Sequence, residues 1–579
     1  MNRESLAHLI DVAAGRKPAD LVFTNGRIVD VYTGTIDQGD VAITNGKVAG
    51  VSQHYEGQKV VDLHGQYLVP GLIDAHIHVE SSYLSPEEFS RIFVPCGTTT
   101  VVADPHEIVN VAGQKGLDYM VNAAKLAPMD IRYMMPPCVP STKFEHAGAT
   151  VGPQEIKTAL AAGKVDGLAE LMNYVGVINN DPQMLDEILA AKEYDARIDG
   201  HAPQLSGKGL NAYIAAGANN DHECSTVKEV EQRLQRGMYV LLRQGTTEHN
   251  LETLLPAVNE QNARRCLLCG DDVQAKTALT IGHLDSDIRI CIEHGLSPIT
   301  AIRMATLNPA EYCRLHDRGG IAPGKRADLL VVDDLRQFHV EQVYIAGEQV
   351  ADHGHYLPTV KRYPIDSLTS SMHVKNFDEK SLQLHLTGKP VRVIQALSGQ
   401  VLTGEKVIHV AHERNGDFHY DPHQDVTKLA VVERHHETGN VGLGLVTGYG
   451  LKHGAIAISI GHDSHNVMTT GVSNHVMAAA VKSLIKQDGG VVEVDDDGQV
   501  VGRLPLPIGG LMSDAPAETV VQQLATVDAV AHTQLGMPKS IDPVMTLSFL
   551  PLAVIPKLKI TDEGLFDVAA FKPVPLEVD

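Results

Sequence analysis

The chain has 579 residues, 43% of them hydrophobic and 21% charged, with a formal net charge of −23. That length exceeds one ordinary core and calls for roughly two to four domains, while the acidic balance excludes a nucleic-acid backbone as partner, because phosphate contacts need a basic face. No apolar run reaches the ~18 residues of a spanning helix, so no membrane partner is expected.

Arg3 and Glu4 interrupt any apolar signal core at the start. Seven scattered cysteines, an odd number, do not make a disulfide framework and fit a reducing cytoplasm. Residues 1–69 open with an amphipathic helical pattern around Leu6, Leu9, Ile10 and Ala13. Short β-type runs follow at 20–31, 39–43 and 47–51, and the Asn-Gly pairs at 25–26 and 45–46 read as hairpin turns. This is the first part of a small β-sandwich domain, incomplete by itself.

From 70 to 315, strand-type runs alternate with helical stretches. The runs end at His76 and His78, Asp104, Pro137, Glu170, His201, His222, Arg243 and Asp271. Their spacing of about 28 residues is close to the ~250 residues over eight strands of a (β/α)8 barrel. Such alternation demands a parallel sheet with crossover helices. Residues 316–360 return to short β-runs that can complete the first sheet, which makes the TIM-type barrel an insertion in the β-sandwich domain. Residues 361–579 read as a C-terminal α+β domain. Its strands are expected at 391–394, 428–432, 455–460 and 490–494, with a turn at 495–498 and helices near 473–486 and 516–535. The Gly-rich run 442–448 lacks the strand and helix context of a dinucleotide fingerprint and is read as a loop. The overall class is α/β.

The strand ends carry an unusual set of side chains: His76 and His78, Asp104 with His106 and Glu107, Glu170, His201, His222, and Asp271 with Asp272. Two residues apart on a strand, His76 and His78 face the same way. In a barrel all these ends meet on one face. Any one of them reads equally well as a solvated loop end or a hydrogen-bonded core group. Four histidines and two carboxylates aimed at one cavity, however, would be costly to bury unpaired. A pair of divalent cations bridged by an acid removes that cost, and nitrogen and oxygen donors suit Mn, Fe or Zn. His78 and Glu80 with Cys266 and Cys269 mimic the ligand pattern of zinc cytidine deaminases, but cysteines three apart on a strand face opposite sides.

These residues resemble the amidohydrolase superfamily, with His76 and His78 on strand one, His201 and His222 on strands five and six, and Asp271 on strand eight. The run from Gly319 to Asp333 fits the same superfamily. Within it the chain is similar to the bacterial adenine deaminases, through His76 to Ser82, Ala103 to Glu107, Gly167 to Met172, Gly270 to Asp272 and Gly461 to Asn466. The resemblance implies that one metal takes His76, His78 and Asp271 and the other His201 and His222, with Glu170 shared. It implies a bridging hydroxide attacking C6 of adenine to give hypoxanthine and ammonia, with manganese as the activating ion. Asp271 is then the first choice for moving the proton, with His106 and Glu107 protonating a ring nitrogen or the amine. Asp272 would accept a hydrogen bond at the N7 edge if that nitrogen carries hydrogen, unless it is a structural carboxylate; Asp104, Glu80, His462 and His465 complete the expected substrate contacts. The Glu433–His436 and His462–His465 clusters either close the barrel mouth or form an internal network. A cytoplasmic homo-oligomer, a dimer, acting in purine salvage is expected. Glu170 stands where cyclic-amide hydrolases usually carry a modified lysine, yet a glutamate bridge is also similar to superfamily deacetylases. A cyclic-amide or N-acetyl hydrolase, and an inactive barrel scaffold, remain the alternatives.

Overall fold

The computed structural model describes residues 2–578. The helix Arg3–Ala13 is capped by the Asn2 side chain, which accepts from the Ser5 amide. Its Val12 packs on Ala19, Val22, Ala42 and Ala49 of the first sheet. That sheet begins with β1 (Ala19–Asp30), β2 (Thr35–Thr44), β3 (Lys47–Gln53), β4 (Gly57–Asp62) and β5 (Tyr67–Pro70). Asn45-Gly46 makes the expected turn between β2 and β3. Asn25-Gly26 does not: β1 runs straight through it, with a register shift between Phe23 and Gly26 and a positive φ of 55° at Asn25. The reason is a change of neighbour. β1 pairs in parallel with β4 up to Thr24 and with β5 from Arg27, and a bulge re-aims the strand between them. Leu63 fills the place of a Gly26 side chain.

Eight strands then alternate with helices: β6 (Leu72–Ile77), β7 (Thr98–Ala103), β8 (Asp130–Tyr133), β9 (Gly167–Leu171), β10 (Arg197–Gly200), β11 (Asn220–Asp221), β12 (Tyr239–Arg243) and β13 (Cys266–Cys269). The ladders β6–β7–β8, β9–β10 and β11–β12–β13 are parallel. Parallel bridges join Met135 to Leu168 and Ile77 to Asp271, the latter bringing the last strand beside the first. Alternate residues sort into two cores. Ile73, Ala75, Val102, Met134, Ala169, Leu241, Leu267 and Cys269 share one cluster, while Leu72, Val101, Leu168, Ile198, Val240, Cys266 and Leu268 pack in the larger cluster with the helices. Cys266 and Cys269 thus lie on opposite faces.

β14 (Leu329–Val332), β15 (Val340–Ile345), β16 (Glu348–Asp352) and β17 (His355–Tyr356) rejoin the first sheet, because β14 pairs antiparallel with β5. The nine strands have the order β17-β16-β15-β14-β5-β1-β2-β3, with β4 on β1. The remaining chain builds an eight-stranded sheet from β18 (Val391–Ala396), β19 (Thr403–Ile408), β20 (Val426–Val432), β21 (Val441–Thr447), β22 (Ala455–Ile458), β23 (Val467–Gly471), β24 (Gly490–Val494) and β25 (Val500–Pro505). The helix Asn474–Lys486 covers one part of it through Val476, Met477, Ala480 and Leu484. The hairpin β26 (Leu558–Thr561) and β27 (Gly564–Asp567) packs against β21.

The Gly-rich run at 442–448, expected as a loop, is therefore mostly strand β21. Its glycines answer to packing: a Cβ on Gly442 would lie 1.9 Å from the Thr561 carbonyl oxygen, and one on Gly444 would press on Ile560 and Leu565. Adding bulk there must push the β26–β27 hairpin away. Gly442→Val is expected to cost about 1–3 kcal/mol of stability, read as a lower unfolding midpoint; an unchanged midpoint would contradict this contact.

Candidate metal centre and active-site pocket

The metal-type ligands meet where β6, β9, β10, β11 and β13 end. His76 and His78 are locked to Asp271 through the backbone, the Asp271 amide donating to the His76 carbonyl (3.0 Å) and the His78 amide to the Asp271 carbonyl (3.2 Å). The Asp271 backbone turns at φ 58°, a conformation that non-glycine residues adopt sparingly and often at functional sites. Asp271 Oδ1 lies 3.1 Å from His78 Nε2 and 3.4 Å from His76 Nε2. Glu170 offers one oxygen to each side: Oε1 is 3.6 Å from His78 Nε2, while Oε2 is 2.8 Å from His201 Nδ1 and 3.2 Å from His222 Nε2. The His76 and His222 rings stack with centroids 4.0 Å apart. All six side chains are buried.

Local hydrogen bonds fix these groups. The Asp74 carboxylate accepts the amides of His76 (3.0 Å) and Gly270 (2.9 Å), and His283 Nε2 lies 2.9 Å from it. His78 Nδ1 meets the Asp104 carbonyl at 3.0 Å. The His201 amide donates to the Tyr213 hydroxyl at 2.8 Å. Before His222, Asp221 holds the fully buried Arg233 at 2.9 Å.

A second group adjoins the first. His106 Nδ1 is 3.6 Å from Glu170 Oε1 and also 3.6 Å from Asp104, and its Nε2 is 3.3 Å from Glu107. His462 Nδ1 reaches Glu107 Oε1 at 2.8 Å, and His465 contacts the other oxygen of Glu107. The C-terminal domain therefore reaches the pocket. His78, His106, Glu107, Glu170, His201, His222, Asp271, Asp272 and His462 line one narrow cavity. Glu80 and His465 face a neighbouring, smaller cavity across Glu107 and His462. Asp104 is buried behind His106 and lines neither. Ser81 donates to Asp272. The Glu433–His436 cluster lines neither cavity and is hydrogen-bonded in place: Glu433 accepts the amides of His435 and His436, and His435 Nε2 meets the Ser464 carbonyl.

Three pocket residues escape the sequence reading. Arg243, at the end of β12, donates to Asp271 Oδ2 at 2.7 Å and to Glu223. Glu223 lies 3.6 Å from His222 Nε2 and 3.7 Å from His201 Nδ1. Asp463 is 3.7 Å from His106 Nε2. Adjacency was the available signal, since Glu223 follows His222 and Asp463 follows His462.

Burial pushes the Asp271 carboxyl up, but Arg243, His76 and His78 outweigh it and hold the group well below the usual range. The same contest, won by His201 and His222, keeps Glu170 ionised. Burial and the nearby Glu107 raise Glu80 to about 7. Burial disfavours a charged His462, yet Glu107 lifts it to about 9. Several buried polar atoms have no hydrogen-bond partner, among them His76 Nε2, His222 Nδ1 and both Asp104 oxygens. Such concentrated unpaired donors are what a cation would satisfy. The triplets His76–His78–Glu170, His76–His222–Asp271 and Glu170–His201–His222 each bring their ligand atoms within 4.8 Å of one another. The donor set fits metal binding.

A model of the amidohydrolase family matches residues 67–350, and a model of the adenine deaminase C-terminal domain matches residues 400–572. The chain is 60% identical over 579 residues to an adenine deaminase of Ligilactobacillus salivarius, with all of both chains covered. It is 50% identical over 577 residues to adenine deaminase 2 of Desulfotalea psychrophila and 49% identical over 580 residues to adenine deaminase 2 of Latilactobacillus sakei, again over the whole of both chains.

Arg243 touches the outer oxygen of Asp271, so its loss should free that carboxylate to rotate. Arg243→Met is expected to weaken divalent-metal binding about 10–100-fold, measured by equilibrium dialysis; unchanged affinity would contradict this orienting role.

Proposed function

The chain belongs to the adenine deaminase family of amidohydrolases, and from that membership we propose that it hydrolyses adenine to hypoxanthine and ammonia in the pocket beside Glu170 and Asp271. The observation that carries this reading is the meeting of two regions: His462, from the segment matched by the adenine deaminase C-terminal model, lines the same cavity as the amidohydrolase ligands. The frame is a (β/α)8 barrel spanning about residues 70–315, inserted in the β-sandwich domain of residues 1–69 and 316–360 and followed by the C-terminal domain. Support for it comes from the bridge between the first and last strands and from the β5–β14 pairing.

His76, His78 and Asp271 would hold one divalent ion, His201 and His222 a second, and the two oxygens of Glu170 suit a bridge. Such ions, manganese by preference and iron or zinc as alternatives, lower the pKa of water from ~15.7 toward ~7 and so supply a nucleophile at neutral pH. The chain's own groups then manage the protons. The water oxygen bonds to C6, and Asp271, its carboxylate kept ionised by Arg243, accepts the proton released. His106, supported by Glu107, delivers a proton to ring nitrogen N1, which bears hydrogen in the product. Asp271 returns its proton to the C6 amino group, the C–N bond breaks, ammonia leaves, and the remaining water proton passes from the C6 oxygen back to His106, leaving the C6 carbonyl. Asp272, oriented by Ser81, accepts from N7 when the base binds as the tautomer that carries hydrogen there. Asp104 steadies His106 from behind, His465 holds Glu107, and Glu80, which accepts the Ile108 amide, faces the smaller cavity rather than the base. A cytoplasmic dimer working in purine salvage belongs to the same proposal. Among the described residues no helix is long and apolar enough to cross a membrane.

Manganese-loaded protein should release ammonia from adenine and leave dihydropyrimidines untouched, as followed by ultraviolet change and ammonia assay. Turnover of a cyclic amide without ammonia from adenine would overturn the assignment. Glu170→Gln is expected to lose most activity and at least one bound ion by metal analysis; full occupancy at full rate would place the bridge elsewhere. His106→Ala is expected to lower kcat about 10²–10⁴-fold with the ion content unchanged, and an unaltered kcat would remove His106 from proton transfer.

A further inference from the structure

Lys559, on β26, has no exposed surface. Its Nζ donates to the Val401 carbonyl (2.9 Å) and the Phe549 carbonyl (2.8 Å). Among the described residues no carboxylate lies within ion-pair distance of it. Burying an ammonium with only carbonyl partners is expensive, and burial alone holds this amine down to about 7. A methionine or leucine would fill the same space without that cost, so the two hydrogen bonds are what the lysine contributes.

Both acceptors belong to residues that line the catalytic pocket. Phe549 lies flat on His462, with ring centroids 4.5 Å apart and planes 5° from parallel. Val401 stands at the end of the loop joining β18 to β19, whose tip at Ser398, Gly399 and Gln400 is exposed. Outside that loop opens a cavity of about 520 Å³, which shares Val401, Ile555, Glu223, Arg243 and Glu248 with the inner pocket. Val401 and Ile555 are the apolar members of that shared wall. The loop is also tied where it enters β19, the Thr403 amide donating to the Pro556 carbonyl at 3.0 Å and its hydroxyl to the Leu558 carbonyl at 2.8 Å. The Phe549 carbonyl also accepts from the Leu552 amide at 3.4 Å, and the Ser398 hydroxyl at the loop tip donates to the Ser540 carbonyl; the bridge that joins Val401 to Phe549 comes from Lys559.

We propose that Lys559 is a positioning residue that fixes the mouth of the site: by tying Val401 to Phe549 from beneath, it sets the width of the passage between the outer cavity and the ligand cluster. This rests on the adenine-hydrolysis reading for what passes through, a flat purine base inward and its product outward. Lys559 touches neither the base nor the ligand cluster, so its removal should change access more than the bond-breaking step.

The test uses full-length, metal-loaded protein carrying Lys559→Met, which keeps the length of the side chain and removes its donors. The expected result is a KM for adenine raised about tenfold, with kcat within about threefold, unchanged ion content and faster amide hydrogen exchange confined to residues 397–403. Unchanged KM and exchange in the folded variant would overturn the proposal. So would a fall in kcat accompanied by loss of ions, which a general structural role would produce. Should Lys559→Met not fold, Val401→Gly keeps the lysine and its backbone contact while removing the side chain at the mouth. A KM raised severalfold supports the proposal, and an unchanged KM overturns it. The exchange measurement needs no substrate, so wild-type protein inert toward adenine would overturn the functional reading and still leave the tie testable.

Discussion

The structure depends on one electrostatic constraint: His76, His78, His201, His222, Glu170 and Asp271 are buried together, away from the protein surface. Alone, such a group would be expelled or neutralised. Here His76, His78 and Asp271 are oriented from outside by partners that leave their inner atoms free. Asp74 accepts the amides next to two of the ligands, His283 braces Asp74, Arg243 takes the outer oxygen of Asp271, and Asp104 takes the far nitrogen of His78. The supporting shell spends its hydrogen bonds on backbone and outer atoms and aims the remainder inward, an arrangement suited to cations.

Residues distant in the chain serve that arrangement. The parallel strands place ligands at their ends, and the bridge between Ile77 and Asp271 brings strands one and eight into register with each other. The C-terminal domain sends His462 and His465 to Glu107, Asp463 to His106, and Phe549 and Val401 to the rim. The polar groups of the pocket thus meet apolar side chains at its rim, which strengthens the charge interactions inside.

Much of this was legible in the sequence because it rests on period and spacing. Strand ends about 28 residues apart, six of the eight closing on a metal-type residue, led to the ligand set that the structure brings together. Local signals misled where one residue type serves two ends. Asn25-Gly26 supplies a positive φ, which a bulge uses as readily as a hairpin. The glycines of β21 look like a loop, but they are small because β26 and β27 lie on them. Arg243 reads as an ordinary strand-end cation, and only the fold shows it between Asp271 and Glu223. Lys559 alternates with Leu558 and Ile560 as a solvent-facing residue would, yet both faces of its hairpin are covered. Such long-range contacts leave no mark on local pattern.

The most direct measurement is anomalous diffraction from crystals of the manganese-loaded protein, recorded on both sides of the metal edge. Two peaks are expected, one contacting His76, His78 and Asp271 and the other His201 and His222, with a Glu170 oxygen on each. A single peak without Glu170, or ions bound away from these six side chains, would contradict the assignment of this cluster as the reaction centre.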